Sequence, residues 1–226
     1  MSLPERPAGD SVEGFVLAGG RSSRMGTDKA LALFAGEPLV THAVKTLRDA
    51  GLKVSIAGAR SVQNLSAPVL EDAEPGRGPL AGVCSALAST SNQLAVVVPV
   101  DLPLLPAALI SYLLQYARIT GAAVTVPSVN GFAQTFPAVV RREALLSLRE
   151  TLRAGDGGCY SAFQAAAARL HLPLSIVPAE LLAQSGQVVH PHGLAPSFWF
   201  WNLNTPDDLE RAEELLAVRH GLHRVS

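Results

Sequence analysis

Residues 94–101 read LAVVVPVD, seven apolar positions without a polar break and then a carboxylate. A strand with one wet face alternates apolar and polar residues, so an unbroken valine-rich run marks a strand covered on both faces. Working outward, similar runs stand at 14–18 (GFVLA), 53–57 (KVSIA) and 122–127 (AAVTVP), separated by helical stretches at Pro38–Ala50, Leu80–Ala88 and Pro106–Ala117. Strands that alternate with helices build a parallel sheet. The expected fold is therefore α/β: an open, mostly parallel sheet with helices on both faces. Such sheets bind ligands beyond the C-terminal ends of their strands, where the strand order reverses. That rule points to Asp101, after the 94–100 run, and to GGRSSRMGTDK at 19–29, after the first strand.

Gly19 and Gly20 allow a sharp turn that brings backbone N–H groups against a ligand, and Arg24 and Lys29 add cations. The loop is suited to phosphate. It is not a Walker A loop, since no GK[ST] follows at the required distance, and adjacent glycines with arginine at position 24 exclude GxGxxG. A plain connector between strand and helix is the competing reading, weakened by the density of functional groups.

Composition limits the partners. The 226 residues are 48% hydrophobic, and 18 Lys plus Arg stand against 19 Asp plus Glu. A chain of this size buries a sizeable core, so 1–226 are expected to form a single domain, with the Pro- and Gly-containing residues 1–12 frayed. A near-neutral charge offers no field to nucleic acid or to an anionic membrane. No segment approaches the ~18 apolar residues of a membrane helix, and a cytoplasmic protein is expected. Cys84 and Cys159 lack metal or disulfide spacing and read as buried small hydrophobes in a reducing compartment.

The string LAGGRSSRMGTDKAL at 17–31 resembles the signature of the molybdenum cofactor guanylyltransferases, MobA-like nucleotidyltransferases that transfer a nucleoside monophosphate. The resemblance continues in order through GPLAG at 78–82, VDLPLL at 100–105, FPAVVRRE at 136–143 and NLNTPDDL at 202–209. It implies a Rossmann-like nucleotidyltransferase sandwich that transfers GMP from GTP to the phosphate of molybdopterin or Mo-molybdopterin, with Mg²⁺.

Residue by residue, the resemblance implies that the backbone of Leu17, Ala18, Gly19 and Gly20 lies along the nucleotide. Lys29 contacts its phosphates, with Arg24 sharing the task. Fixed cations suit this reaction, because attack at an α-phosphate spreads negative charge over the phosphoryl oxygens and the leaving pyrophosphate. Asp101 matches the magnesium ligand and Asn204 a second metal contact; a turn cap and a loop residue are the plainer readings. Mg²⁺ needs few protein carboxylates beside the phosphates. Asp72, Gly78, Pro79, Leu80 and Gly82 match positions near the nucleotide, where small residues let backbone approach a flat base, although GPLAG also reads as a tight turn opening a packed helix. Asp28 either pairs with Lys29 or caps the loop. Thr205, Pro206, Asp207 and Asp208 signal a helix start.

LAGG with GPLAG resembles the guanine-using enzymes, whereas cytidine-using relatives carry LAAG. Ala57 stands where guanylyltransferases often have an asparagine. CTP on molybdopterin, a nucleotide on a sugar or alcohol phosphate, and a non-catalytic GTP-binding adaptor for cofactor insertion stay open as alternatives. Gln134, Arg141 and Arg142 flank the FPAVV run and face either a phosphorylated acceptor or solvent. The segment 155–198 is longer than the family leads one to expect and reads as an acceptor lobe or a homodimer contact; contacts with molybdoenzymes or a chaperone also stay open. His190 and His192 read as loop residues, not metal ligands, and FWFW at 198–201 as core or interface.

Overall fold

The apolar runs become strands where their side chains can be covered twice. The structure, a computed structural model, describes residues 12–19, 28–58, 67–70, 76–155 and 158–223. In chain order the first half contains β1 (Glu13–Leu17), the short hairpin β2 (Leu33–Phe34) and β3 (Glu37–Pro38), α1 (Leu39–Asp49), β4 (Lys53–Ala57), β5 (Val69–Leu70), α2 (Pro79–Ser89) and β6 (Leu94–Pro99). There follow α3 (Ala107–Thr120), β7 (Val124–Val129), β8 (Phe132–Ala133), β9 (Ala138–Arg141), α4 (Leu145–Ala154), α5 (Cys159–Leu170), β10 (Leu174–Pro178), α6 (Ala179–Gln184), α7 (Pro196–Trp199) and α8 (Pro206–His223).

The main sheet runs β10-β7-β9-β6-β1-β4-β5, with β8 paired to the end of β7. β1 is parallel to both β4 and β6, β4 to β5, and β7 to β10. β9 alone among the strands of that path runs the other way, between β6 and β7. The expected open, mostly parallel sheet with helices on both faces is the fold observed.

Successive residues of each strand feed opposite cores. Val16, Val96, Val98 and Val139 join Leu39, Leu47, Leu109, Ile110 and Trp199 under α1, α3 and α7. Phe15, Leu17, Val97 and Val140 join Leu80, Leu87, Leu148 and Phe163 under α2, α4 and α5. Burying each such side chain contributes about 1.5–3 kcal/mol. Segment 155–198 supplies α5 to one layer, the edge strand β10 to the sheet, and α6 and α7 to the other layer. Cys84 and Cys159 are both buried and neither is in a disulfide, and burial pushes the Cys159 thiol up to about 12. No helix among the described residues is long and apolar enough to cross a membrane.

The FWFW run lies in the core at Trp199, whose Nε1 donates to Leu194 O at 2.8 Å. Trp199 stacks on His190, with ring centroids 6.2 Å apart. His190 Nε2 donates to Leu104 O at 2.9 Å, and its Nδ1 accepts from His192 N at 3.1 Å. Both ring nitrogens are thus used by backbone, as the loop reading requires. Burial lowers the His190 pKa from its ordinary 6.5, against the opposing Leu104 bond.

Candidate functional site

Because β1, β4 and β6 are parallel and adjacent, their C-terminal ends release three loops on one edge of the sheet. There Ala18 N donates to Ala57 O at 2.9 Å and Val100 N to Leu17 O at 3.2 Å. The side chains of Leu17 and Ala18 are buried, so these residues offer backbone, while Gly19 is exposed. A Cβ on Gly19 would stand 3.3 Å from Gly58 O and 3.4 Å from its Cα, so a side chain at residue 19 would press the first two loops apart by a few tenths of an ångström. Ala57 is buried within β4.

The first loop re-enters the described chain at Asp28, which caps the short 3-10 turn Lys29–Leu31 by accepting Ala30 N at 3.1 Å. Of its two readings, the structure gives Asp28 the cap. The turn directs Lys29 inward: Nζ donates to Asp101 Oδ2 at 2.9 Å and to Asn204 Oδ1 at 2.5 Å. These partners lie 72 and 175 positions away in sequence. The Lys29 and Asp101 side chains retain 17% and 22% exposure, which shields the pair from most solvent screening.

The other carboxylate oxygen, Asp101 Oδ1, is buried without a hydrogen-bond partner. A buried acceptor left unsatisfied costs about 1–3 kcal/mol, and more when charged. Asp101 therefore presents an anionic oxygen in need of a cation or donor, beside the amide oxygen of Asn204. Two hard oxygen donors are the chemistry that a magnesium-sized ion accepts when phosphates complete its shell. Among the described residues no group of three His, Cys, Asp or Glu could hold a metal ion. The residues present fit a metal shared with phosphate oxygens.

Asn204 reaches this place through a backbone strap and through the helix cap at Thr205. Leu203 N donates to Asp101 O at 3.0 Å and straps the 202–204 segment to the strand end. Asp208 Oδ2 accepts Asn204 N at 3.0 Å, Thr205 N at 2.9 Å and Thr205 Oγ1 at 2.8 Å, while Asp208 N donates back to Thr205 Oγ1 at 3.2 Å. This is a reciprocal helix cap with Thr205 and Asp208 three apart, a spacing visible in TPDD. The Thr205 hydroxyl, followed by the Asn204 and Thr205 amides, holds the Asp208 carboxyl below its ordinary 3.8.

On the same edge α2 begins at Gly78, whose φ of 78° is a left-handed conformation natural to glycine. Arg77 fixes the turn by donating to Leu152 O at 2.7 Å. Gly78 and Pro79 are exposed, Leu80 is buried, and no side chain caps the helix. The positive end of its dipole thus faces the loops. Gly82 lies one turn deeper, where a Cβ would meet Leu17 Cδ2 at 2.8 Å. Its missing side chain lets α2 lie against β1, the packing side of the GPLAG reading.

Gln134 follows β8, which pairs with the C-terminal end of β7 at Ser128 and Val129, and so stands on the loop-bearing edge; its Nε2 donates to Phe132 O at 3.1 Å. Arg141 and Arg142 do not. β9 is antiparallel and Arg141 pairs with Leu94, at the opposite end of β6 from Asp101. There Arg141 Nε donates to Ala122 O at 3.4 Å and Arg142 Nε to Thr90 O at 2.8 Å. Gly20, Arg24 and Asp72 lie outside the described residues.

Residues 14–171 match the sequence profile described as a MobA-like NTP transferase domain. A probable molybdenum cofactor guanylyltransferase of Natronomonas pharaonis is 33% identical over 213 residues, covering 90% of this chain and 98% of its own. Its counterpart in Haloferax mediterranei is 31% identical over 206 residues, covering 87% and 90%. Among solved structures, molybdopterin-guanine dinucleotide biosynthesis protein A from Archaeoglobus fulgidus superposes with a TM-score of 0.73 at 21% identity, over 91% of this chain and 98% of that one. The 2-C-methyl-D-erythritol 4-phosphate cytidylyltransferase of Thermus thermophilus gives 0.66 at 20% identity, over 92% and 99%. At these identities the structural likeness is one of fold.

Proposed function

This chain belongs to the MobA-like NTP transferase family and is a nucleotidyltransferase; from that premise we propose that it transfers GMP from GTP to the phosphate of molybdopterin or Mo-molybdopterin. The products are the guanine dinucleotide cofactor and pyrophosphate. The observation that carries the proposal is the convergence of Lys29, Asp101 and Asn204, with Asp101 Oδ1 buried and unpartnered. The printed names of the relatives support the guanine nucleotide and the acceptor.

In this reading an acceptor phosphate oxygen forms a bond to the α-phosphorus of GTP as the bond from that phosphorus to the α–β bridging oxygen breaks. Pyrophosphate carries away the electron pair. The attacking oxygen is already anionic near neutral pH, so no general base is needed. Catalysis is positioning and charge neutralisation. Asp101 and Asn204 would hold a Mg²⁺ ion, which neutralises phosphate charge when bound. Lys29 holds triphosphate oxygens, with Arg24 from the same loop. The backbone of Leu17, Ala18 and Gly19 lies along the nucleotide, a role proposed for Gly20 as well. The open start of α2 at Gly78, Pro79 and Leu80 lies near it, with Asp72 proposed as a further nucleotide contact, and Gly82 keeps that helix close to β1.

The test is pyrophosphate release from purified protein with Mg²⁺ and molybdopterin, offering GTP, CTP, ATP and UTP in parallel. Release with GTP alone is expected. A preference for CTP would replace the guanine reading with a cytidylyl one, and no release with any nucleotide would remove molybdopterin as acceptor.

A further inference from the structure

Lys29 carries a cation to the two side chains that a metal would need. Its ammonium lies within hydrogen-bond distance of both Asp101 Oδ2 and Asn204 Oδ1, and the pair is largely shielded from solvent. A divalent ion on Asp101 Oδ1 and Asn204 Oδ1 and an ammonium bonded to Asp101 Oδ2 and the same amide oxygen repel each other strongly at such range. The ammonium and a metal therefore compete for these two side chains. Departure of Lys29 breaks two hydrogen bonds, one of them the ion pair with Asp101, which is unfavourable unless an anion receives the ammonium. The triphosphate is that anion.

We infer that Lys29 is a tethered competitor for the metal position, so that the site accepts a divalent ion as its nucleoside triphosphate complex and discriminates against the free ion. The inference rests on the proposed metal role of Asp101 and Asn204. It assigns Lys29 two successive partners: the carboxylate and amide oxygens first, then the phosphates once the metal takes its place. Asn204 is exposed, so the incoming complex can displace the ammonium from the solvent side. The burial of Asp101 Oδ1 leaves one oxygen already committed to the incoming cation.

Manganese provides a readout independent of turnover, since the free ion is counted by its electron paramagnetic resonance signal. Mn²⁺ would be titrated into the full chain without nucleotide, comparing wild type with Lys29→Met, which keeps the length of the side chain but not its charge. Lys29→Met is expected to bind free Mn²⁺ roughly tenfold or more tightly than wild type. Adding Asp101→Asn to Lys29→Met should remove that gain. With Mn²⁺ and GTP offered as the preformed complex and protein-bound metal read by equilibrium dialysis, wild type should favour the complex over the free ion far more than Lys29→Met does. Lys29→Ala is the second variant, and circular dichroism checks the fold of each.

Equal affinity of wild type and both Lys29 variants for Mn²⁺ without nucleotide would overturn the exchange, even if GTP-dependent binding still required Asp101. If wild-type Mn²⁺ binding in the presence of GTP were unaffected by Asp101→Asn, the metal reading itself would fall.

Discussion

The main-chain N–H of Leu203 donates to the main-chain carbonyl of Asp101 at 3.0 Å. This contact joins the end of a central strand to the approach of the last helix, and it brings Asn204 beside the Lys29–Asp101 pair. It uses backbone only, so it sets position without restricting the side chains at 101 and 203. The chemistry at 101 and 204 can therefore be changed without removing the strap.

Asp101→Asn tests that separation. It keeps the shape and the strap but removes the charge that Lys29 and a metal would share. Magnesium-dependent turnover is expected to fall by roughly 10²-fold or more, with the thermal midpoint little changed. Near-normal turnover would sink the role given to Asp101.

Asp208→Ala removes the acceptor for three hydrogen bonds. Loss of a helix cap costs about 1 kcal/mol, and Asn204 loses the anchor of its backbone. Stability should fall modestly, while KM for the metal–nucleotide complex rises. Because the folded Asp208 carboxyl titrates below its ordinary 3.8, its contribution is present above that pH and is lost as pH falls through the lower folded value. Acid unfolding followed by circular dichroism should show a shallower slope in the variant below about pH 4.

Gly82→Ala gives a prediction whose sign is informative. In an unobstructed helix interior, replacing glycine by alanine favours the helix by roughly 0.5–1 kcal/mol. Here the new Cβ meets Leu17 Cδ2 at 2.8 Å. Because Cδ2 is the far end of a leucine side chain and can turn away, a net destabilisation of no more than about 1 kcal/mol is expected from the repacking. Denaturant melts should find the penalty reduced when Leu17→Ala is added, since touching sites are not additive. A more stable Gly82→Ala protein would refute the packing role.

His190 makes stability fall on mild acidification. Burial holds its folded pKa below 6.5, so the unfolded chain takes up the proton first. The stabilisation is present above pH 6.5 and declines as pH drops toward the folded value. Urea melts at neutral and mildly acidic pH should show this decline, and His190→Gln should lessen it.

Cys159 is expected to resist thiol reagents in the native protein at pH 8, because burial pushes its pKa to about 12 and the thiolate is the nucleophile. Cys84 is also buried. Titration with an aromatic disulfide should give no rapid reaction in buffer and two thiols in urea; a fast native thiol would contradict the buried placement.

The strands at 53–57 and 94–99 and the loop ends at Lys29 and Asp101 were legible because an apolar run and the polar residue after it are local features. The direction of β9 was not. Its AVVR reads the same whichever way the strand runs, and direction decides that Arg141 stands beside Leu94, away from Asp101. Asn204 was legible through its motif, but its strap was not, since Leu203 donates through an amide that every residue except proline possesses. Asp208 lies in the first turn of α8, as a charge favouring the helix dipole should; that its carboxylate also reaches back to three donors depends on the backbone path into α8. Gly82 needed the position of Leu17 on the neighbouring strand before its packing role could be seen.

The reach from Lys29 to Asn204 across 175 positions also orders events on the ribosome. A nascent chain that has emerged only through β10 exposes every described strand of the main sheet, yet neither Asn204 nor the Leu203 strap has left the ribosome. Local and sheet contacts can therefore assemble while the chemistry still lacks one of its three members. Its arrival closes a contact of long sequence separation, the kind that forms slowly. The sheet can thus assemble before the Lys29, Asp101 and Asn204 side chains are brought together.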